Sequence, residues 1–269
     1  LSYDLGFSLE HIKRYNRDDT AIPDVWLAFF DAVVCIDNDK DRVLLFSSGF
    51  PETNPRLRRI RSEMRLKQLL AELHRRETDD QWHDRRALLC KSYQLQSNFS
   101  PHEYMTAVKR ARGYINRGDI YQINLSQRFH TKTDFTPEQL YMNLRNVFPV
   151  PFGGIMRGDD FSIISGSPER FLKYDGRFLV TRPMKGTRAR ASDKRRDQKL
   201  RHALQQSSKD KAELLMIVDL ERNDLGRVCD YGSVRVEQLR CLEEYSNVFQ
   251  TTAQISGRLY QGMDRIDII

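Results

Sequence analysis

The feature of this sequence that most constrains the fold is the segment FSIISGSPERFLKYDGRFLVTRPMKGT at residues 161–187. Alternating apolar residues flank Asp175-Gly176, and an Asp-Gly pair in that setting is the strongest short signal for a β-hairpin. A two-residue turn at this pair would place Tyr174 opposite Arg177. We therefore predict an antiparallel hairpin within this segment.

The same hairpin brings a carboxylate and an amine to its open end. Counted from the predicted turn, Glu169 lies opposite Arg182, and Lys185 follows after Pro183, which ends the ladder. At about 3.3 Å per residue, Lys185 is expected within roughly 10 Å of Glu169. Such a pair is either an acid beside a nucleophilic amine or an ion pair at a strand edge. The spacing alone leaves both interpretations open.

Helices are predicted where capping residues precede a helical pattern of apolar residues. SPHE at residues 100–103 forms a capping box, and Gly118 ends that helix. TPEQLYMNLRNVF gives a second capped helix over 136–148, and a third covers about 193–206. A fourth begins near Ser208 and is expected to end at the polar residues before a capping Gly226.

Two further segments hold polar residues of interest. IYQINLSQRF at 120–129 alternates like a strand, with Gln122 on its polar face; that face is either solvent-exposed or the wall of a polar pocket. In the fourth helix, Asp210 and Glu213 share a face that Ile217 and Leu220 continue, which predicts that Glu213 points inward. A carboxylate beside an apolar stripe needs a cation, a metal or a donor as partner.

The N-terminal part of the chain is predicted to differ from the rest. Residues 25–48 form two strands joined by the polar turn DNDKD, and residues 56–95 are helical and highly charged. We place a boundary between 1–95 and 96–269. The net charge of +7 arises largely from arginines of residues 56–77. These arginines complement the apolar face of a predicted amphipathic helix, which consists of Ile60, Met64, Leu69, Leu70 and Leu73. A solvated helix face is therefore favoured over nucleic-acid binding, which would show steeply salt-dependent affinity.

Composition narrows the location and class of the protein. Apolar residues make up 39% and charged residues 30% of the 269 residues, as in a water-soluble globular protein, and no apolar run approaches a membrane span. The four cysteines are scattered without metal-ligand spacing, which favours free thiols in the cytoplasm.

Four ordered motifs identify a family. GDIYQINLSQRF, SPERF, TRPMKGT and KAELLMIVDLERNDLGR occur in the order and at the spacings of the chorismate-utilising enzymes, which the chain therefore resembles. The resemblance implies an α+β fold of two large, mostly antiparallel sheets packed face to face with helices outside. Later family segments are absent and the chain begins at Leu1, so we expect a piece of a longer protein, incomplete at both ends.

Within the family, the residue before Gly186-Thr187 separates branches. Anthranilate and isochorismate synthases resemble this segment but have alanine there, whereas the aminodeoxychorismate synthases have a lysine, as here. The resemblance implies that Lys185 attacks C2 of chorismate, that Glu169 is the general acid-base, and that Gly186 and Thr187 contact substrate. Gln122 stands where isochorismate synthases have a lysine that activates water, so ammonia is the expected nucleophile.

The resemblance also implies a cofactor and a partner. Glu213 matches a ligand of Mg²⁺, and a glutaminase subunit would supply ammonia for amination of chorismate at C4, in para-aminobenzoate and folate synthesis. Asn247 and Gln250 stand where the family often has histidines. The alternatives are anthranilate synthase component I, disfavoured by Lys185 and by PVPFGG at 149–154, and a non-catalytic binding protein on the same scaffold. This stretch of chain alone is expected to have little or no activity.

Overall fold

The computed structural model describes residues 1–13, 18–75, 93–264 and 267–268. The chain divides into two compact units, Leu1–His83 and Asp84–Ile269. The functional boundary after residue 95 stays a prediction. None of the described helices has the length and the apolar character that a membrane crossing requires.

The first unit is built on the predicted N-terminal hairpin. After a short 3-10 helix at Tyr3–Leu5 and a helical turn α1 at Gly6–Leu9, strands β1 (Ala32–Asp37) and β2 (Arg42–Ser47) pair antiparallel. Helix α2 (Pro55–His74) follows. The hairpin and the helix are confirmed, although residues 25–31 do not join the strand.

Two arginines of helix α2 form ion pairs with Asp31, the residue directly before β1, instead of facing only solvent. Arg65 binds Asp31 with Nε to Oδ2 at 2.8 Å, and Arg61 reaches the same carboxylate at 3.5 Å. Ile60 and Met64, expected on the buried face, are exposed. The predicted orientation of this helix is therefore wrong, because a shared carboxylate on the hairpin selects the arginine face. The predicted helical stretch at 76–92 lies outside the described residues.

In the second unit, three of the four helices match their predicted bounds closely. They are α3 (Pro101–Arg117), α4 (Pro137–Val147) and α5 (Lys194–Gln206). Both predicted capping residues act as such, since Ser100 and Thr136 each accept the backbone N–H three residues later. Helix α6 (Ser208–Val228) continues past Gly226, so the predicted cap at that glycine is wrong.

The strands of the second unit are antiparallel throughout. Their bounds are β3 (Gln96–Ser97), β4 (Phe129–His130), β5 (Phe152–Arg157), β6 (Ser162–Ser167), β7 (Arg170–Tyr174), β8 (Phe178–Arg182), β9 (Met184–Ala189), β10 (Arg235–Glu244) and β11 (Val248–Arg258). The main sheet has the order β10-β11-β8-β7, and β9 pairs with another part of β11. Among the described residues the other sheets are two-stranded. The mixed α+β class with antiparallel sheets is confirmed; the pairing of two large sheets stays an expectation.

The core lies between α6 and the main sheet. Leu214, Val218 and Leu225 of α6 are buried, as are the sheet residues Leu179 and Ile255. Each large aliphatic side chain buried in this way contributes about 1.5–3 kcal/mol relative to exposure. Packing of α6 therefore holds the helix against the strands that carry the candidate site.

The central hairpin exists, but its register differs from the prediction. Tyr174 pairs with Leu179, and the Asp175 N–H donates to Phe178 O at 3.3 Å, so Gly176 and Arg177 form the turn. The cause is the Asp175 carboxylate, which accepts the N–H groups of Phe178 and Arg177 at 2.8 and 3.0 Å. These bonds lower the pKa of Asp175 below its usual range.

A second difference lies further along the hairpin. An irregularity between Arg170 and Lys173 shifts the pairing so that Arg170, not Glu169, stands opposite Arg182. The predicted strand at 120–129 is also wrong: only Phe129–His130 forms a strand, paired with Gln96–Ser97. Alternation alone does not form a strand when no partner strand lies alongside.

Candidate active site

The Lys185 backbone is fixed between two strands. Lys185 pairs with Thr251 of β11 and is half-buried. The Thr251 hydroxyl donates a hydrogen bond to the Lys185 carbonyl, and the Ala253 N–H donates to Pro183 O at 3.1 Å. Because Pro183 has no N–H group, β11 holds this segment by donating to the carbonyl groups of Pro183 and Lys185. The lysine is therefore presented from a constrained backbone.

Gly186 allows the chain to turn directly after the lysine. Its φ of +76° lies in the left-handed region that glycine tolerates best. A Cβ at this position would lie 2.9 Å from the Asp210 Cβ and 2.9 Å from the Leu204 Cδ1. The absence of a side chain thus lets β9 approach both α5 and α6 closely.

Glu169 lies beside the lysine segment, as expected, although through a different register. Its Oε1 accepts the Met184 N–H at 2.7 Å, at the residue directly before Lys185. The side chain is otherwise exposed, and the Glu169 N–H donates to Ser167 Oγ at 3.3 Å. An exposed carboxyl group that is anchored at one oxygen remains able to exchange protons with a ligand.

Two ion pairs join strand β9 and the residue that follows it, Arg190, to the helices around them. Arg188 Nη2 lies 2.9 Å from Asp210 Oδ2 on α6. Arg190 binds both carboxylate oxygens of Asp197 on α5, and the Ala191 N–H donates to Asp197 at 2.9 Å. The Arg190 guanidinium, followed by the Ala191 N–H, holds the pKa of Asp197 below its usual range. Strand β9 is thereby tied to two helices just beyond Lys185.

Glu213 is not directed inward as predicted. Its side chain is 44% exposed, and Oε1 lies 3.6 Å from Lys209 Nζ, one turn earlier on α6. Leu220, expected on the same inward stripe, is exposed. The inward stripe instead consists of Asp210, Leu214, Val218, Glu221 and Leu225. Across the described ranges, no group of three or more metal-ligating side chains comes together.

Thr187 and Gln122 occupy different settings. Thr187 is exposed, and its hydroxyl receives a bond from Gln250 Nε2 at 3.4 Å. Gln122 is half-buried and donates to Asn124 Oδ1 at 3.4 Å. Gln122 does not belong to the hydrogen-bonded group around Lys185 and Glu169 in the part of the chain that the structure describes.

Glu221 is a residue of this region that the sequence analysis missed. It lies in the second half of α6, where Arg222, Asn223 and Asp224 were predicted to end the helix. Those three residues are exposed within the helix, whereas Glu221 is half-buried and accepts the Thr181 hydroxyl at 2.8 Å. The missed signal was spacing: Glu221 follows Leu214 by seven residues and Val218 by three, and so shares their face.

Comparisons with known proteins settle the family. The model of the chorismate binding enzyme family matches residues 1–269. The chain belongs to the chorismate-binding enzyme family. It is 34% identical to aminodeoxychorismate synthase component 1 of Bacillus subtilis, over 100% of this chain. It is 33% identical to anthranilate synthase component 1 of Thermus thermophilus, again over 100% of this chain.

A solved structure agrees with the fold of this family member. Anthranilate synthase component I from Streptococcus pneumoniae superimposes with a TM-score of 0.85 at 26% identity, over 100% of this chain and 58% of that one. The chain covers 56% of each of the two curated relatives, so it spans about half their length. The family and its fold are thereby shown, whereas two branches of the family match at similar identity.

Proposed function

We propose that the chain forms part of an enzyme that aminates chorismate at C4, giving 4-amino-4-deoxychorismate. The observation that supports this most directly is the hydrogen bond from the Met184 N–H to Glu169, which places a carboxyl group beside Lys185. The neutral Lys185 amine attacks C2 of chorismate, the ring double bonds shift, and the C4 hydroxyl leaves as water with a proton from Glu169. A covalent intermediate divides one difficult displacement into two easier ones.

In the second half of the reaction, ammonia adds at C4 and the double bonds shift back. The bond between C2 and the Lys185 nitrogen then breaks, and the lysine is regenerated. We propose that a separate glutaminase subunit supplies the ammonia. The backbone constraints at Pro183 and Gly186 support this mechanism, because they fix the backbone from which the Lys185 side chain reaches the substrate.

Glu213 is the proposed ligand of Mg²⁺. Mg²⁺ in enzymes is usually held by one or two carboxylates together with substrate oxygens and water. The half-exposed Glu213 fits such a role, since its ion-pair partner within the described residues is the exposed Lys209, at 3.6 Å, which competes weakly for it. When bound, Mg²⁺ would offset negative charge on the substrate carboxylate.

A second candidate reaction is the formation of anthranilate. The 33% identity to the anthranilate synthase component of Thermus thermophilus favours it, and so does the superposition on the Streptococcus pneumoniae structure. Lys185 favours amination without release of the pyruvyl group, because a covalently attached lysine occupies C2 until ammonia has added at C4.

Product analysis distinguishes these reactions. The full-length protein is incubated with chorismate, Mg²⁺ and ammonium, and the product is identified by mass and ultraviolet spectrum. Lys185→Ala should abolish most of the conversion, whereas Lys173→Ala, which changes an exposed lysine on β7 of the same hairpin, should not. Anthranilate as the product, or full activity in Lys185→Ala, would contradict the proposal.

A further inference from the structure

Arg240 has an unusual backbone conformation within strand β10. The pairing of β10 with β11 shifts between Gln238 and Cys241, which is the mark of a β-bulge. Within this bulge Arg240 has a φ of +59°, in the left-handed region that a residue with a Cβ seldom adopts. Such a conformation persists where contacts of the surrounding structure offset its cost. The contacts of the Arg240 side chain are therefore the feature to explain.

The Arg240 guanidinium binds the junction between α5 and α6. Its Nη2 donates to Leu204 O and to Ser207 O, at 3.1 Å in each case. Leu204 lies in the last turn of α5, and Ser207 caps α6, where its hydroxyl accepts the Asp210 N–H at 3.2 Å. The C-terminal end of a helix carries partial negative charge, which a cation stabilises. Arg240 thus ties the end of one helix and the start of the next to the main sheet.

The same junction packs against the strand that carries Lys185. A Cβ at Gly186 would lie 2.9 Å from the Leu204 Cδ1 and 2.9 Å from the Asp210 Cβ, so both side chains lie directly beside the Gly186 backbone. Leu204 is fully buried, and Asp210 also holds Arg188 of the same strand at 2.9 Å. A movement of the junction would therefore change the packing around the residue next to Lys185.

Another contact between α5 and β10 is a weaker link. Arg201 Nε lies 3.0 Å from Glu244 Oε1, and the two side chains are 43% and 46% exposed. Exposed ion pairs of this kind contribute little to stability, because water and salt screen them. Arg240 is half-buried instead, and it binds main-chain carbonyl groups, one of them on the fully buried Leu204. The bonds of Arg240 are therefore the stronger of these two links.

We propose that Arg240 is a positioning residue for Lys185: its guanidinium holds the α5–α6 junction against Gly186 and thereby keeps the Lys185 backbone in place. The inference rests on the proposed function for the catalytic role of Lys185. A small displacement of a reacting group, caused by a change far from the chemistry, can lower a rate about 100-fold. The bulge explains how Arg240 reaches the junction, because a bulge re-aims the side chain that it carries.

Hydrogen exchange tests this link without substrate. Amide exchange of the full-length protein is followed by peptide mass spectrometry in the parent and in Arg240→Met, which keeps an apolar stem and removes the guanidinium. We expect exchange to be about 10-fold faster in two segments, the junction at 204–211 and the strand at 184–189, as for the loss of one charge-assisted hydrogen bond. Exchange in the N-terminal hairpin at 32–47 should be unchanged. The matched control Arg201→Met, which breaks the exposed link, should leave all three segments at the parent rates.

Two other exchange patterns would overturn the proposal. Faster exchange at 204–211 alone would show that Arg240 only caps α5. Equally faster exchange in every segment would show a general loss of stability. Because exchange needs neither chorismate nor turnover, these outcomes decide the inference even if Lys185→Ala proves fully active or the product is anthranilate.

Kinetics test the consequence for Lys185. In Arg240→Met, the kcat of chorismate consumption should fall about 10-fold while KM changes less than about 3-fold, because the nucleophile is displaced and the other substrate contacts remain. A kcat equal to that of the parent, in a variant whose exchange at 184–189 has risen, would overturn the positioning role.

Arg240→Gly covers the case in which Arg240→Met does not fold. Glycine adopts the φ of +59° without strain, so this relief offsets part of the stability that is lost with the guanidinium. The melting temperature should therefore stay close to that of the parent, whereas exchange at 184–189 should rise and kcat should fall as predicted for Arg240→Met. Parent values of both exchange and kcat in Arg240→Gly would show that the guanidinium is not needed and would overturn the proposal.

Discussion

Gly186→Ala provides a sharp test of how the lysine segment is held. The φ of +76° costs a residue with a Cβ about 1–2 kcal/mol. The new methyl group would also lie 2.9 Å from the Leu204 Cδ1 and from the Asp210 Cβ. Overpacking of this kind costs about 1–3 kcal/mol.

Neither neighbour can move away cheaply. Leu204 has no exposed surface, and Asp210 is fixed by its place on α6 and by the ion pair with Arg188. The two costs therefore combine to about 2–5 kcal/mol, a large fraction of the ~5–15 kcal/mol that stabilises a typical protein. At about 2–4 °C per kcal/mol, the melting temperature should fall by roughly 4–20 °C.

Calorimetry or circular dichroism on the full-length protein measures this change. The matched control is Gly226→Ala on α6, where a Cβ meets no atom within 4 Å and the backbone is helical. That variant should be about 0.4–1 kcal/mol more stable than the parent. If Gly186→Ala is as stable as the parent, the positive φ and the close approach of β9 to the helices cannot be what requires glycine there.

Two further predictions concern stability and pH. The pKa of Asp197 is lowered, mainly by Arg190. The ionised carboxylate therefore stabilises the folded protein above pH 3.8, and this stabilisation is lost as the pH falls through the lowered pKa. Urea unfolding should show Asp197→Asn less stable than the parent at pH 7 and equal to it in acid; an equal loss at every pH would contradict this. The pKa of Glu221 is raised, mainly by burial. The protonated side chain therefore contributes fully to the stability of the folded protein below pH 4.5, and this contribution is lost as the pH rises through the raised pKa. The parent should therefore lose stability relative to Glu221→Gln as the pH rises from 4.5 through the raised value, and parallel curves would refute the assigned direction.

Local signals in the sequence predicted the elements that local bonds form. The helices starting after Ser100 and Thr136 begin at their capping boxes, because a cap depends only on residues three positions apart. The hairpin at Asp175-Gly176 was located correctly but its register was not. The Asp175 side chain accepts two backbone N–H groups and moves the turn by one residue. Turn type depends on such side-chain bonds as well as on the residue pair.

Long-range pairing could not be predicted in the same way. The 120–128 segment alternates like a strand, yet a strand exists only where another backbone supplies hydrogen bonds. Glu169 nevertheless lies beside the Lys185 segment, although the predicted register was wrong. Both residues flank the open end of the hairpin, and the shift of pairing by one or two residues changes their separation by only a few ångströms.

In helix α6, the spacing of the buried residues would have identified Glu221 as part of the candidate site. Asp210, Leu214, Val218, Glu221 and Leu225 follow one another at intervals of four, four, three and four residues, the spacing of a single helix face. Two carboxylates within an otherwise apolar stripe are costly to bury without partners. The structure supplies Arg188 for the first and Thr181 for the second, one on each side of Lys185 along the chain. The stripe that packs the core is therefore also the one that holds the strands on either side of Lys185, which explains why Glu221, and not the half-exposed Glu213, is bonded to the strand that leads to the lysine.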